Sequence, residues 1–180
     1  MKESHKSYFS DIKLIVGFFL FVLAIIIFDQ FFTEDKIAFD FSKITVPMQN
    51  DIFNSQGDVT TLHKIVDGKK AILIDFWASW CPPCMSSMSN LIQKEKELAP
   101  QGIVVVGMNL EDQKIADSIR VSRNISFNWL VEPADQFYSK LFFIDSIPKM
   151  VLISPEGKVL FRGHPEDSEL KEILKTLIKK

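Results

Sequence analysis

The chain has 180 residues, with 21 basic against 23 acidic side chains, a net charge of -2 and a hydrophobic fraction of 47%. That length fits one domain plus an appendage, and the near balance of charge gives no electrostatic case for nucleic-acid binding. The only cysteines are Cys81 and Cys84 and the only histidines are His5, His63 and His164. That supply argues against a structural zinc site, which takes four such ligands.

The first element is the charge-free run from Leu14 to Phe28 (LIVGFFLFVLAIIIF). As a helix it spans about 22 Å, and adding Asp29, Gln30, Phe31 and Phe32 extends it to about 28 Å. A bilayer core is about 30 Å thick, so residues 14–32 are predicted to form a transmembrane signal anchor. A cleaved signal peptide is the alternative, but no small-x-small site follows the run. Lys2, Lys6 and Lys13 precede the span, while Lys36 follows beside Glu34 and Asp35. The positive-inside bias then assigns residues 1–13 to the cytoplasm and the rest of the chain to the extracytoplasmic (periplasmic) side of the cytoplasmic membrane. Residues 33–38 read as a tether, and 39–180 as one domain.

Within that domain, Asp51 to Leu62 carries a Gln-Gly-Asp turn between two short apolar-polar alternations and is predicted to be a hairpin. Ala71 to Trp77 is nearly all apolar and reads as a buried strand. The segment after Cys84 puts Met85, Met88, Leu91, Ile92 and Leu98 on one helical face. Pro100-Gln101-Gly102 breaks the chain. Ile103–Met108 is a second buried strand, Asp112–Asn124 a helix with Ile115, Ala116 and Ile119 inward, and Ile125–Val131 strand-like or irregular. Pro133–Phe142 reads as a short helix. Lys149–Ser154 and Val159–Arg162 alternate as strands around Pro155-Glu156-Gly157-Lys158. Leu170, Ile173, Leu174, Leu177 and Ile178 line the final helix, which Asp167 or Ser168 can cap. Strands alternating with helices imply an α/β fold with a parallel sheet covered on both faces, to which the last hairpin adds antiparallel strands.

Trp80-Cys81-Pro82-Pro83-Cys84 falls where the first buried strand ends and a helix begins. A helix N-terminus carries unpaired N–H groups and partial positive charge, both of which favour a thiolate, the species that attacks disulfides. An inert structural disulfide is a poor alternative, because so small a loop gives little entropic stabilisation. Cys81, nearest the strand end, is expected to be the more exposed and attacking sulfur. Cys84, one turn on, is expected to resolve the mixed disulfide. Pro82 and Pro83 suit a first helical turn, where a missing N–H costs little. Asp75 stands in the apolar strand six residues before Cys81. Buried there it would have a raised pKa and could exchange a proton with Cys84; the alternative is a strand-margin carboxylate in water.

The run Ile-Leu-Ile-Asp-Phe-Trp-Ala-Ser-Trp-Cys-Pro-Pro-Cys resembles the active-site signature of thioredoxin-fold proteins. With the preceding hairpin and the N-terminal anchor it resembles the TlpA/ResA-type branch, over roughly Phe39 to Lys180. The resemblance implies a thioredoxin fold: a central mixed sheet flanked by helices, behind an N-terminal hairpin and a single transmembrane helix. It implies membrane-tethered extracytoplasmic thiol-disulfide oxidoreductase activity with no cofactor. It implies an acid at Asp75, a cis peptide at Pro148 packed against the dithiol, and a backbone at Ile147 that pairs with the substrate strand. Trp80 is expected on the docking surface, and Trp77 in the core. Three positions depart from the family pattern. Gly107 stands where thioredoxins place a lysine beside the acid, which suggests a proton route through water. Ser87 and Ser89 stand where relatives often carry Glu and Pro.

The expected activity is reduction of disulfides in secreted or membrane proteins. Apocytochrome c, in cytochrome c biogenesis, and copper-site assembly proteins are family substrates. With no second cysteine pair, electrons must come from a partner, expected to be a membrane thiol carrier. The competing reading is a Cu(I) metallochaperone using Cys81, Cys84 and His164, since soft thiolates suit Cu(I). A peroxidase is disfavoured, because Ala78 stands where peroxiredoxins place threonine.

Overall fold

A computed structural model describes residues 16, 18–25 and 40–179. The chain divides into two units, Met1–Phe39 and Asp40–Lys180. In the first, residues 18–25 are helical and Phe18, Phe19, Leu20 and Phe21 are exposed. Apart from residues 16 and 18–25, the expected span 14–32 lies outside the described residues, as do the expected segments 1–13 and 33–38. Among the described residues no helix is long and apolar enough to cross a membrane.

The second unit is built on one seven-stranded mixed sheet. Its strands are β1 (Asp51–Asn54), β2 (Val59–Thr61), β3 (Ala71–Trp77), β4 (Ile103–Asn109), β5 (Asn128–Val131), β6 (Lys149–Ile153) and β7 (Val159–Gly163). Their order is β2-β1-β5-β4-β3-β6-β7. The pairs β3–β4 and β4–β5 are parallel, and the others antiparallel. The helices are α1 (Leu62–Val66), α2 (Pro82–Leu98), α3 (Gln113–Ser122), α4 (Phe137–Leu141) and α5 (Ser168–Lys179).

Strand β3 organises both cores because every one of its residues is buried. Side chains alternate across a strand. Ala71, Leu73 and Trp77 therefore join one apolar cluster with Cys84, Met88 and Leu91 of α2, Ala116 of α3 and Leu170 and Leu174 of α5. Ile72, Ile74 and Phe76 join another, with Leu62 and Val66 of α1 and Tyr138 and Phe142 at α4. Each such side chain taken fully out of water contributes about 1.5–3 kcal/mol. The strand that presents the dithiol is thus the best anchored in the sheet.

The expected hairpin forms, but Leu62 turns out of it into α1, where the Thr61 hydroxyl accepts the Lys64 N–H at 3.1 Å as an N-cap. Helix α4 is shorter than the expected Pro133–Phe142. Gln136 has a left-handed backbone (φ 57°), which stops a helix from passing through it. The Glu132 carboxylate then accepts the N–H groups of Tyr138 and Ser139 at the helix start. Asp167 does not aim its carboxylate along α5; it turns back to accept the His164 N–H at 2.7 Å.

Candidate active site

The chain leaves β3 at Trp77 and makes a tight turn in which the Cys81 N–H donates to the Ala78 carbonyl at 3.1 Å. Cys81 is the N-cap of α2, and Pro82 and Pro83 occupy its first turn. The Cys84 N–H points at Cys81 Sγ from 3.2 Å. An N-cap acceptor satisfies one of the free N–H groups at a helix start. When the acceptor is sulfur, the same donor stabilises it as a thiolate. The two cysteines are joined as a disulfide, with Cα atoms 5.3 Å apart.

Cys81, expected from its place at the strand end to be the more exposed of the pair, is itself buried. It is 3% exposed, against 2% for Cys84. The disulfide draws its sulfur inward, and the segment before Pro148 covers it, with the Ile147 carbonyl oxygen 3.8 Å from Sγ. A disulfide sulfur has no proton to give, so this is a packing contact; the thiol formed on reduction can donate there. The Ile147–Pro148 peptide is cis. Trp80, by contrast, is 66% exposed. With Leu110, Ile144, Asp145, Ser146 and Ile147 it lines a cleft of about 340 Å³ next to the dithiol. The chain thus brings together Cys81, Cys84, Trp80, Ile147 and Pro148. Trp77 is fully buried and stacks on Trp129, with ring centroids 4.7 Å apart.

Asp75 lies on β3 between Leu73 and Trp77, so it faces the α2 side of the sheet. It is buried, and burial pushes its carboxyl up from 3.8 to about 7, with the positive charge of Lys94 opposing part of the rise. No hydrogen bond joins Asp75 to Cys84 among the described residues. Its partner across the β3–β4 ladder is Gly107. A Cβ at Gly107 would lie 1.9 Å from the Trp129 ring, so the indole fills the space a lysine would need. The cation that acts on Asp75 comes instead from α2. Lys94 lies ten residues after Cys84 (Cys84, Leu91, Lys94, Leu98), on the stripe turned toward the sheet. That spacing was readable in the sequence.

A further group was missed. Glu111, just past β4, accepts the Ser79 N–H at 2.5 Å and the Ser79 hydroxyl at 2.8 Å. Its own N–H donates to Asn109 Oδ1 at 2.9 Å, and Asn109 is fully buried. The Leu110 N–H donates to the Trp77 carbonyl at 3.0 Å. The loop before the dithiol is therefore stitched to the end of β4 by backbone and carboxylate together. Ser87, where relatives often carry Glu, directs its hydroxyl to the Cys84 carbonyl at 3.0 Å. His164 Nδ1 accepts the Glu166 N–H at 3.2 Å within its own turn. Among the described residues no three His, Cys, Asp or Glu side chains stand together to hold a metal ion.

A central mixed sheet with a disulfide at the N-terminus of a covering helix and a cis-proline loop against it defines a thioredoxin-fold dithiol domain. The fold matches that of a secreted Mycobacterium tuberculosis disulfide oxidoreductase homologous to E. coli DsbE, with a TM-score of 0.57 at 20% identity, over 74% of this chain and 97% of that one. The thioredoxin-like family model matches residues 68–159, and the chain belongs to that family. The TlpA/ResA-type resemblance read from the dithiol motif agrees with its relatives. Thiol-disulfide oxidoreductase ResA of Bacillus subtilis is 28% identical over 92 residues, 51% of this chain and 51% of its own length. Thiol:disulfide interchange protein DsbE of Escherichia coli is 31% identical over 103 residues, 52% of this chain and 49% of its own. The chain thus spans about half the length of these curated relatives.

Proposed function

We propose that the protein is a thiol-disulfide oxidoreductase that reduces disulfides in client proteins. The observation that carries the reading is the Cys81–Cys84 pair at the start of α2, where the Cys84 N–H meets Cys81 Sγ at 3.2 Å beside an open cleft. In the reduced protein, Cys81 thiolate attacks one sulfur of a client disulfide. An S–S bond forms between Cys81 and the client as the client's own S–S bond breaks, and the second client sulfur leaves as a thiolate that takes a proton from water. Cys84 then loses its proton to Asp75 and attacks Cys81 Sγ. The Cys81–Cys84 bond forms, the mixed disulfide breaks, and the first client sulfur leaves as a thiolate that is protonated in turn. Two electrons pass to the client. An external dithiol protein returns the domain to its reduced state.

The client would lie across Trp80 and pair its backbone with Ile147 in front of Pro148. The domain would work outside the cytoplasm, tethered by residues 14–32. The charge-free run, the lysines before it and the exposed apolar side chains of residues 18–25 support that placement. Outside the cytoplasm a dithiol protein needs a dedicated donor, and a membrane thiol carrier would fill that role. Apocytochrome c and copper-site assembly proteins fit the client class.

The test is a trap. Cys84→Ser keeps the attacking sulfur and removes the resolving one, so client proteins should accumulate as mixed disulfides on Cys81 in intact cells. Mass spectrometry of reductant-released partners identifies them. Recovering no partner, or the same partners with Cys81→Ser, defeats the reading.

A further inference from the structure

The cleft wall that faces Trp80 is a loop, Phe142 to Pro148, strung between α4 and β6. Its conformation is not one that the chain adopts unaided. Phe143 has φ of 49°, a left-handed backbone that an aromatic residue rarely takes. A strained residue persists where its surroundings over-determine it. The Phe143 and Ile144 N–H groups donate to the Lys140 and Ser139 carbonyls at 3.2 and 2.8 Å, and one side chain from β7 takes up the carbonyls. Arg162 of β7 donates through Nε to the Phe142 carbonyl at 2.7 Å and through Nη2 to the Phe143 carbonyl. The same Nη2 lies 3.4 Å from Asp145 Oδ1, on which Lys149 Nζ closes at 3.1 Å. Phe41 covers the guanidinium, with its ring centroid 4.9 Å from the guanidinium carbon, and packs edge-on against Phe143. The Arg162 side chain is only 17% exposed.

A planar guanidinium serves two carbonyls and a carboxylate from a rigid fork, a fixed geometry that the three rotating donors of an ammonium lack. We infer that Arg162 is a positioning residue for client binding: it locks the loop on which Ile144, Asp145, Ser146 and Ile147 form the second wall of the cleft. The inference rests on the proposed oxidoreductase reading and specifies how that site holds its client. An extended peptide that pairs with a preformed backbone loses less freedom on binding than one that must first order the loop. Arg162 touches neither sulfur. Its removal should therefore weaken binding of a peptide backbone and leave the sulfur chemistry unchanged.

The experiment is stopped-flow oxidation of the reduced full-length chain in detergent micelles with two probes. One is a linear peptide carrying an intermolecular disulfide. The other is dithiodipyridine, which has no backbone to pair. In Arg162→Met the half-saturating peptide concentration should rise about tenfold, with the limiting rate and the dithiodipyridine rate unchanged. Arg162→Lys should recover less than half of that loss. An unchanged half-saturation, or equal slowing with both probes, overturns the inference. If Arg162→Met does not fold, Asp145→Asn decides: a rise of about threefold in half-saturation supports the brace, and none overturns it. A wild-type chain that oxidises with neither probe sinks the oxidoreductase reading instead, a distinct failure.

Discussion

The cleft's first wall, Trp80 with Leu110, grows out of two adjacent strand ends, with Ser79 beside it. The opposite wall, Ile144 to Ile147, hangs between α4 and β6 and is tied down from β7. On the first wall the backbone does most of the holding: β3 and β4 pair in register through to Trp77 and Asn109, and the Leu110 N–H continues the link to the Trp77 carbonyl. On the second, one cation collects the loose carbonyls of Phe142 and Phe143. The difference separates two tasks. Sulfur chemistry stands on the most deeply anchored strand of the sheet, where alignment depends on main chain. The proposed client docking would use a loop that a side chain helps to hold. Changes that disturb the strand ends should appear in rate and changes that loosen the loop in half-saturation, while Trp80 itself, across which the client would lie, serves both.

The most severe break of the first wall is Cys81→Ser. Hydroxyl oxygen is not ionised at neutral pH and cannot form a disulfide, so turnover of peptide and dithiodipyridine alike should fall by at least about a thousandfold. Peptide binding, measured by calorimetry, should stay within about twofold because Trp80 and the loop from Ile144 to Ile147 are untouched. Appreciable residual turnover would mean that Cys84 attacks directly and that the order of the two sulfurs is reversed.

Asp75→Asn acts on the same wall from beneath. Burial raises the Asp75 carboxyl from 3.8 to about 7 in the folded protein. The unfolded chain releases this proton near the lower value, so between the two values the folded state holds more protons. The stabilising contribution is full below the unfolded value and is lost as pH climbs to the folded one. Across that window stability should fall by about 4 kcal/mol. In Asp75→Asn this part of the slope should vanish, leaving that of the other carboxylates such as buried Glu132, as read from urea midpoints at a series of pH values. The second chemical step should also slow by about a hundredfold above neutrality, because Cys84 loses its proton acceptor. An identical pH slope in the variant would show that the carboxyl is solvated.

The first wall was largely legible in the sequence and the second was not. Cys81, Cys84 and Asp75 lie within ten residues of one another, and strand periodicity and helix-start chemistry place them without knowledge of the rest of the chain. Ile147 and Pro148 came from family resemblance, since nothing in their local sequence dictates a cis bond. Ser79 meets Glu111 across 32 residues, and Arg162 meets the Phe142 carbonyl across 20. Such side-chain bridges leave no periodic trace. Lys94 was legible but was sought on the neighbouring strand, at the position that Trp129 fills. The depth of Cys81 is hidden for a related reason: the loop that lies over it is distant in sequence.

Glu111→Ala gives the smallest of these effects and sharpens the comparison most directly. It removes three hydrogen bonds to a charged acceptor, two from Ser79 and a longer one from Asn109 Nδ2 at 3.3 Å, each worth about 1.5–3 kcal/mol when sheltered. Ser79 is exposed and the backbone links at Trp77 remain, so much of that value is already lost to water. The net loss of alignment should be about 1 kcal/mol, or about fivefold in rate. Both probes should slow equally, with half-saturation unchanged, the opposite signature to Arg162→Met. Glu111→Gln keeps one acceptor oxygen for the three donors and should recover part of the rate. If half-saturation rises for the peptide alone, Glu111 serves docking, and the division between a wall for chemistry and a wall for binding does not hold.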